Sequence, residues 1–261
     1  MTERQIRGQL AVSCPSLEYF ESIDSTNSYL KRMAQDGAVH GSVAVADAQT
    51  AGRGRMGRSF QSPVGKGLYL SVLLRPDVNA EKLMRATGMA AVAAARAIES
   101  VCDGKVGIKW TNDLVLNGRK LCGILAETVM LGSDTALVIG VGINVHHKKT
   151  DFEGEVATLA TSLALEGYSV GRSSLAAALI KELYRLNDAL GGEIEEYLRE
   201  YRQRCVTIGK DARLLWTEGQ ERVFAEDIDE TFGLVVRRES GDCSVIRTGE
   251  VSVRGLYGYI E

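Results

Sequence analysis

The sequence has no basic excess: 31 Lys and Arg stand against 34 Asp and Glu, a formal net charge of −3. That balance argues against a general nucleic-acid or membrane-surface binder, which shows basic excess over a whole face. A long apolar run is also missing. The strongest one is broken by Arg96 and Glu99, so no membrane span is expected. The N-terminal MTERQIRGQLAVSC lacks the continuous apolar core of a secretory signal. Paired cysteines are absent too: Cys14, Cys102, Cys122, Cys205 and Cys243 are scattered, odd in number and without a C-x-x-C pair. This excludes a disulfide framework and a structural zinc site, and fits a reduced, cytoplasmic protein. There is no repeat and no low-complexity segment. What remains is ordinary, with 45% hydrophobic and 25% charged residues over 261 positions, enough for one large domain or one large and one small.

Periodicity organises the chain. LEYFESI (17–23) reads as a strand running into Asp24-Ser25-Thr26-Asn27, a cluster suited to capping the helix STNSYLKRMAQDG, which Gly37 closes. SVAVADAQ and GLYLSVLLR read as strands, and Asn79 caps one long Ala-rich helix, AEKLMRATGMAAVAAARAIESV. VGIKW follows as a strand, then a hairpin with Asn117-Gly118 at its turn, then the strand TALVIGVGINV. A polar segment, His146 to Glu155, precedes two helices, SSLAAALIKELYRLNDAL and IEEYLREYRQRC. From Val206 onward, short β-branched segments punctuated by Gly and Asp predict a small all-β unit ending in CSVIRTGEVSVRGLYGYIE.

Three stretches carry chemistry. QTAGRGRMGRSF (49–60) holds three arginines and three glycines with no acidic residue. Gly52, Gly54 and Gly57 permit positive φ and a mobile chain, while Arg53, Arg55 and Arg58 suit phosphate or carboxylate. Alone, the loop reads equally well as solvated basic surface. It does not match the phosphate loop G-x-x-x-x-G-K-S/T, and it lacks the aromatic-basic stripe of a nucleic-acid site.

The second stretch, KWTNDLVLNGRKLCGILAE (109–127), sets Lys109, Asn112, Asp113, Arg119 and Lys120 in an otherwise apolar segment. Strand alternation predicts Lys120 and Cys122 on one face, with Leu121 and Gly123 on the other. A buried lysine there would need an anion; the alternative places Arg119 and Lys120 in solvent at the hairpin tip. Asp113 could hold Mg²⁺ with waters or simply close a turn. In the third, IGVGINV, Gly140 and Gly142 imply close backbone approach, without the third glycine of a dinucleotide fingerprint. His146 and His147 have no third ligand near them and read as surface histidines.

In order, DSTN (24–27), QTAGRGRMGR (49–58), KWTNDLVLNGRKLCGILAE (109–127) and GVGIN (140–144) resemble the biotin protein ligase family. The resemblance implies an α/β catalytic domain over 1–205, a class II aminoacyl-tRNA synthetase/biotin synthetase-like mixed sheet with flanking helices. An SH3-like C-terminal barrel over 206–261 would follow. It also implies that ATP and biotin, with Mg²⁺, give biotinyl-5′-AMP and pyrophosphate. The biotinyl group then passes to one lysine of a biotin carboxyl carrier protein domain.

By the same resemblance Ser25, Thr26, Asn27, Gln49, Gly52, Arg53, Lys120 and Gly123 form the biotin site. Arg53, Arg55, Phe60, Asn112, Lys120 and Asn144 contact ATP or the adenylate. Lys120, Arg55 and Asp113 are catalytic, with Asp113 also the metal candidate. Family members that repress transcription carry a winged helix of roughly 60 residues, and fewer than about twenty precede the first strand, so no nucleic-acid partner is expected. The resemblance allows a homodimer. Thr111 stands where the family often has proline, and Phe60 where it often has tryptophan. A lipoate- or octanoate-transferring relative is the nearest alternative, and a basic-loop binding module the more distant one.

Overall fold

The structure is a computed structural model describing residues 1–132, 134–154, 156–216 and 219–247, together with the backbone of 252–255. Its helices are α1 Glu3–Arg7, α2 Thr26–Gln35, α3 Ala80–Leu83, α4 Ala86–Glu99, α5 Val156–Leu159, α6 Arg172–Leu190 and α7 Glu195–Arg204. Strands β1 Leu17–Phe20, β2 Ser42–Ala46, β3 Gly67–Leu74, β4 Gly107–Lys109, β5 Asp113–Leu116, β6 Arg119–Leu131 and β7 Asp134–Asn144 form the main sheet. Its order is β1-β2-β3-β7-β6-β5-β4, antiparallel except for the β1/β2 pair. Strands β8 Lys210–Trp216, β9 Gly219–Ile228, β10 Leu234–Arg238, β11 Cys243–Ile246 and β12 Ser252–Gly255 form a second, antiparallel sheet ordered β11-β10-β9-β8-β12.

Side-chain alternation decides what each face of the main sheet becomes. Val43, Val45, Leu68, Leu70, Val72, Leu137, Ile139 and Val141 point into the large core beneath α4 and α6. Their alternates Ala44, Leu73, Ala136 and Val138 pack with Leu30 and Ala34 of α2 on the opposite side. Beyond the N-terminus of α2 that second face carries Tyr69, Gly123, Gly140 and Gly142, and there the sheet is left open as the floor of a cavity.

Local signals act as read. Ser25, in extended backbone, accepts the Ser28 amide and starts α2, and Gly37 at φ 86° follows its end. Asn117 and Gly118 take φ of 50° and 75°, the paired left-handed geometry of a two-residue hairpin turn. Eleven of the fourteen residues of α4 are buried, as suits a helix apolar all round. Gly88 of that helix lets the second sheet dock, since a Cβ there would lie 2.3 Å from the Phe232 ring. Ala212, Leu214, Val223 and Leu234 accordingly join the same hydrophobic cluster as the main sheet.

Several expectations are corrected. The long helix after Asn79 is two: the Met84 and Arg85 amides bond the carbonyls of Glu81 and Lys82, tightening the chain before α4 restarts. The first strand stops at Phe20, and Ile23 returns as an isolated bridge to Gln49. Helix α1 was not among the expected elements; Thr2 starts it, its Oγ1 accepting the Gln5 amide at 3.3 Å. The C-terminal segment CSVIRTGEVSVRGLYGYIE supplies β11 and β12, while 248–251 and 256–261 lie outside the described residues.

Candidate active site

A cavity of about 590 Å³ opens on the glycine-paved face, between the N-terminus of α2, the arginine loop, the β5–β6 hairpin and one strand of the second sheet. At one end the lining side chains Thr26, Asn27 and Gln49 are neutral and partnered, with the Glu127 carboxylate behind Asn27. The Thr26 amide and hydroxyl both donate to Gln49 Oε1 (2.9 and 3.2 Å), and Gln49 Nε2 donates to Ser62 Oγ (2.9 Å). Ser71 Oγ donates to Asn27 Oδ1 (2.6 Å), whose Nδ2 reaches Leu125 O and Glu127 Oε2, both at 3.1 Å. Gly140 makes room for this amide, since a Cβ there would sit 1.9 Å from Asn27 Oδ1. Asn27 therefore works as a clamp on this end, with its donors and acceptor committed to the protein.

The arginine loop is a small hairpin. Gln49 bridges Ser62, Arg53 bridges Ser59, the Phe60 amide donates to Gly52 O and the Gly54 amide to Arg58 O. Positive φ falls at Met56 and Gly57; Gly52 and Gly54, expected to use it, do not. Gly52 is required by close approach instead, as its Cβ would lie 2.3 Å from Phe60 O. The Phe60 ring in turn sits on Gly123 and Gly142, cross-strand partners whose Cβ atoms would approach it to 3.2 and 2.6 Å. With Asn27 against Gly140, the Phe60 contact at Gly142 accounts for the G-x-G of β7 by close approach of side chains.

Cations gather at the other end. Arg53, Arg55, Arg58, Lys109, Lys120 and Arg213 line the cavity against one lining carboxylate, Asp113. Lys120 Nζ pairs with Asp113 Oδ1 at 2.6 Å. Arg55 Nη1 donates to Asn112 Oδ1 at 2.9 Å, its Nη2 is buried without a partner, and burial lowers its pKa. Such a site neutralises an anion, and it is most favourable where negative charge builds up.

The predicted face of Lys120 needs correction. A register shift between Leu114 and Val115 pairs them with Cys122 and Lys120, so Leu121 is an extra residue and the alternation slips by one. Lys120 and Gly123 share the cavity side, while Leu121 and Cys122 are both buried in the core. Burial pushes the Cys122 thiol up, leaving it a packing group. Arg119 pairs with Glu166 at 2.7 Å rather than standing free at the tip.

Of the expected site residues, Gly52 and Asn144 do not line the cavity. Asn144 is buried, and its Nδ2 donates to Thr161 O. Arg53 does line it, but its guanidinium turns to Glu127 at 3.2 Å. His147, expected at the surface, is 2% exposed and stacked on Phe152, with burial lowering its pKa to about 4. Trp110, Thr158 to Ala160 and Arg213 line the cavity unannounced. No sequence signal marks Arg213, because it arrives from the second sheet.

The fold is shared with a known class of proteins, the biotin and lipoate protein ligases. Residues 19–144 match the model of the biotin/lipoate A/B protein ligase family. Over 168 residues the chain is 40% identical to a bifunctional ligase/repressor BirA of Bacillus spizizenii, covering 63% of this chain and 51% of that protein. The chain thus spans about half the length of that relative. It is 33% identical over 261 residues to a biotin–(acetyl-CoA-carboxylase) ligase of Mycobacterium tuberculosis, covering 96% of this chain and 95% of the other. A biotin protein ligase from Aquifex aeolicus, solved in complex with biotin and ATP, matches with a TM-score of 0.78 at 28% identity, over 92% of this chain and 99% of that one. Within that class, the chain belongs to the biotin protein ligase family.

Proposed function

We propose that this chain is an ATP-dependent biotin–protein ligase. The observation that carries the reading is one cavity with a neutral, fully hydrogen-bonded end and a cationic end. A ureido ring needs the first; a carboxylate meeting a triphosphate needs the second. In the first step a biotin carboxylate oxygen bonds to the α-phosphorus while the bond to the β-phosphate oxygen breaks and pyrophosphate leaves. In the second, a carrier lysine amine, giving up a proton, bonds to the acyl carbon and AMP departs with the bonding pair.

Lys120 and Arg55 lie where they can neutralise both anions during the first step. Thr26, Gln49 and the backbone at Gly123 frame the neutral end, and Phe60 lies against its floor. For Asn144 to read an adenine, its amide would have to leave Thr161 O. Mg²⁺, which prefers one or two carboxylates plus substrate phosphates, finds one carboxylate, Asp113, already paired with Lys120. The donor set therefore fits a metal carried chiefly by the nucleotide, where it would offset phosphate charge. Residues 206–261 are taken as a second domain that adds Arg213 to the cavity. Cytoplasmic residence suits the chain's free cysteines and the lack, among described residues, of any helix long and apolar enough to cross a membrane.

Mass spectrometry of a biotin carboxyl carrier protein domain, incubated with the protein, ATP and Mg²⁺, tests the reading. Biotin should acylate one lysine and lipoate should not. An unmodified carrier with biotin would sink the assignment, and modification by lipoate alone would transfer it to the lipoate branch.

A further inference from the structure

Behind the arginine loop lies a second hollow of about 300 Å³, walled by Arg53 to Gly57 on one side and Ile124 to Glu127 on the other. One ion pair spans it. Arg53 approaches both carboxylate oxygens of Glu127, Nη2 to Oε1 at 3.2 Å and Nη1 to Oε2 at 3.4 Å. The same carboxylate receives Lys31 Nζ from α2 at 2.8 Å and Asn27 Nδ2 at 3.1 Å. Its side chain is 15% exposed, so these partners meet in a partly desolvated place rather than on open surface.

We propose that Glu127 is a positioning residue that moors the arginine loop and the start of α2 to β6. The two arginines then divide the work. Arg53 is the mooring point, held outside the reacting charges, while Arg55, hydrogen-bonded to Asn112 across the loop, faces the cations' end of the cavity. Asn27 carries the constraint into the neutral end, because it follows Ser25 and Thr26 and shares Ser71 with Thr26. Releasing Glu127 thus loosens the binding frame and leaves Lys120 and Asp113 paired on the far hairpin. Isolated surface ion pairs contribute little, but a shared carboxylate with three donors holds three segments at once.

The kinetic half of the test rests on the ligase reading; the proteolytic half does not. Tryptic cleavage after Arg58, a bond every variant keeps, reports loop release. In Glu127→Gln it should quicken about fivefold, as the loop's charge-assisted contact through Arg53 is lost. Arg53→Gln, on an exposed loop and so safe for folding, should quicken it equally, and the double variant no further. Arg53→Lys should restore most protection. In pyrophosphate release, Glu127→Gln should raise the biotin KM about fivefold and hold kcat within about twofold. Unchanged cleavage in both single variants, additive effects in the double, or a fall in kcat at constant KM would each overturn the mooring role. Should pyrophosphate release fail altogether in the unmodified protein, the ligase reading falls and cleavage alone decides the mooring.

Discussion

The two ends of the cavity are built on opposite principles. Around Thr26, Gln49, Ser62, Ser71 and Asn27, donors and acceptors are matched within the protein, and these five side chains are neutral, with the Glu127 carboxylate set behind Asn27. Around Arg55, Lys109, Lys120 and Arg213, cations outnumber the lone lining carboxylate, and one buried guanidinium nitrogen has no partner. A saturated network is rigid, so it can select by shape and by the few backbone groups it presents. A cluster in which lining cations outnumber carboxylates stabilises an anion brought among them. The contrast assigns recognition to one end and chemistry to the other.

The largest break in that contrast should come from Lys120→Ala. Removing the cation beside Asp113 should lower biotin-dependent pyrophosphate release by about a thousandfold or more, roughly 4 kcal/mol in the barrier, measured by a coupled phosphate assay. Near-normal release would mean that the charge at this end is not catalytic. At the neutral end, Gly140→Ala should instead act through stability. Its Cβ would collide with Asn27 Oδ1 and force that amide off Ser71, costing about 2–4 kcal/mol in urea denaturation. A loss of activity without loss of stability would show that the clamp contributes by contact rather than by frame.

The smallest effect sharpens a third region. His147 is neutral when folded, its pKa of about 4 lying below the value near 6.5 of an open chain. The unfolded state therefore binds the extra proton, and stability should drop as pH falls from 6.5 toward 4, by at most about 3 kcal/mol. His146 is shifted the same way by burial and shares the window. Denaturation midpoints between pH 7 and 4.5 should slope less in His147→Phe, which keeps a ring for Phe152 to stack on. An equal slope would place the titration elsewhere.

Much of this was legible beforehand because it is written in short range. The Ser25 cap, the Asn117-Gly118 turn, the alternation of β2, β3 and β7, and the arginine loop each depend on a few neighbouring residues. What escaped was set by partners far along the chain. Lys120 turned to the cavity because a bulge at Leu121 reset the phase of β6, and no composition rule predicts a bulge. Arg53 and Arg55 look alike in sequence, yet Glu127 and Asn112 pull them to different tasks. His147 lay in a polar segment and was buried by the residues that fold over it.

By itself the sequence determined most of the strands and the longer helices, the ordered motifs and the kind of ligand they suit, since local propensity and residue chemistry carry that information. Tertiary structure alone decided which side chains share the cavity. It turned Lys120 inward, set Asn144 aside, brought Arg213 across from the second sheet, and gave Gly123 and Gly142 their purpose as the seat of Phe60. Those placements follow from register and docking between distant segments, which become fixed only when the whole core closes.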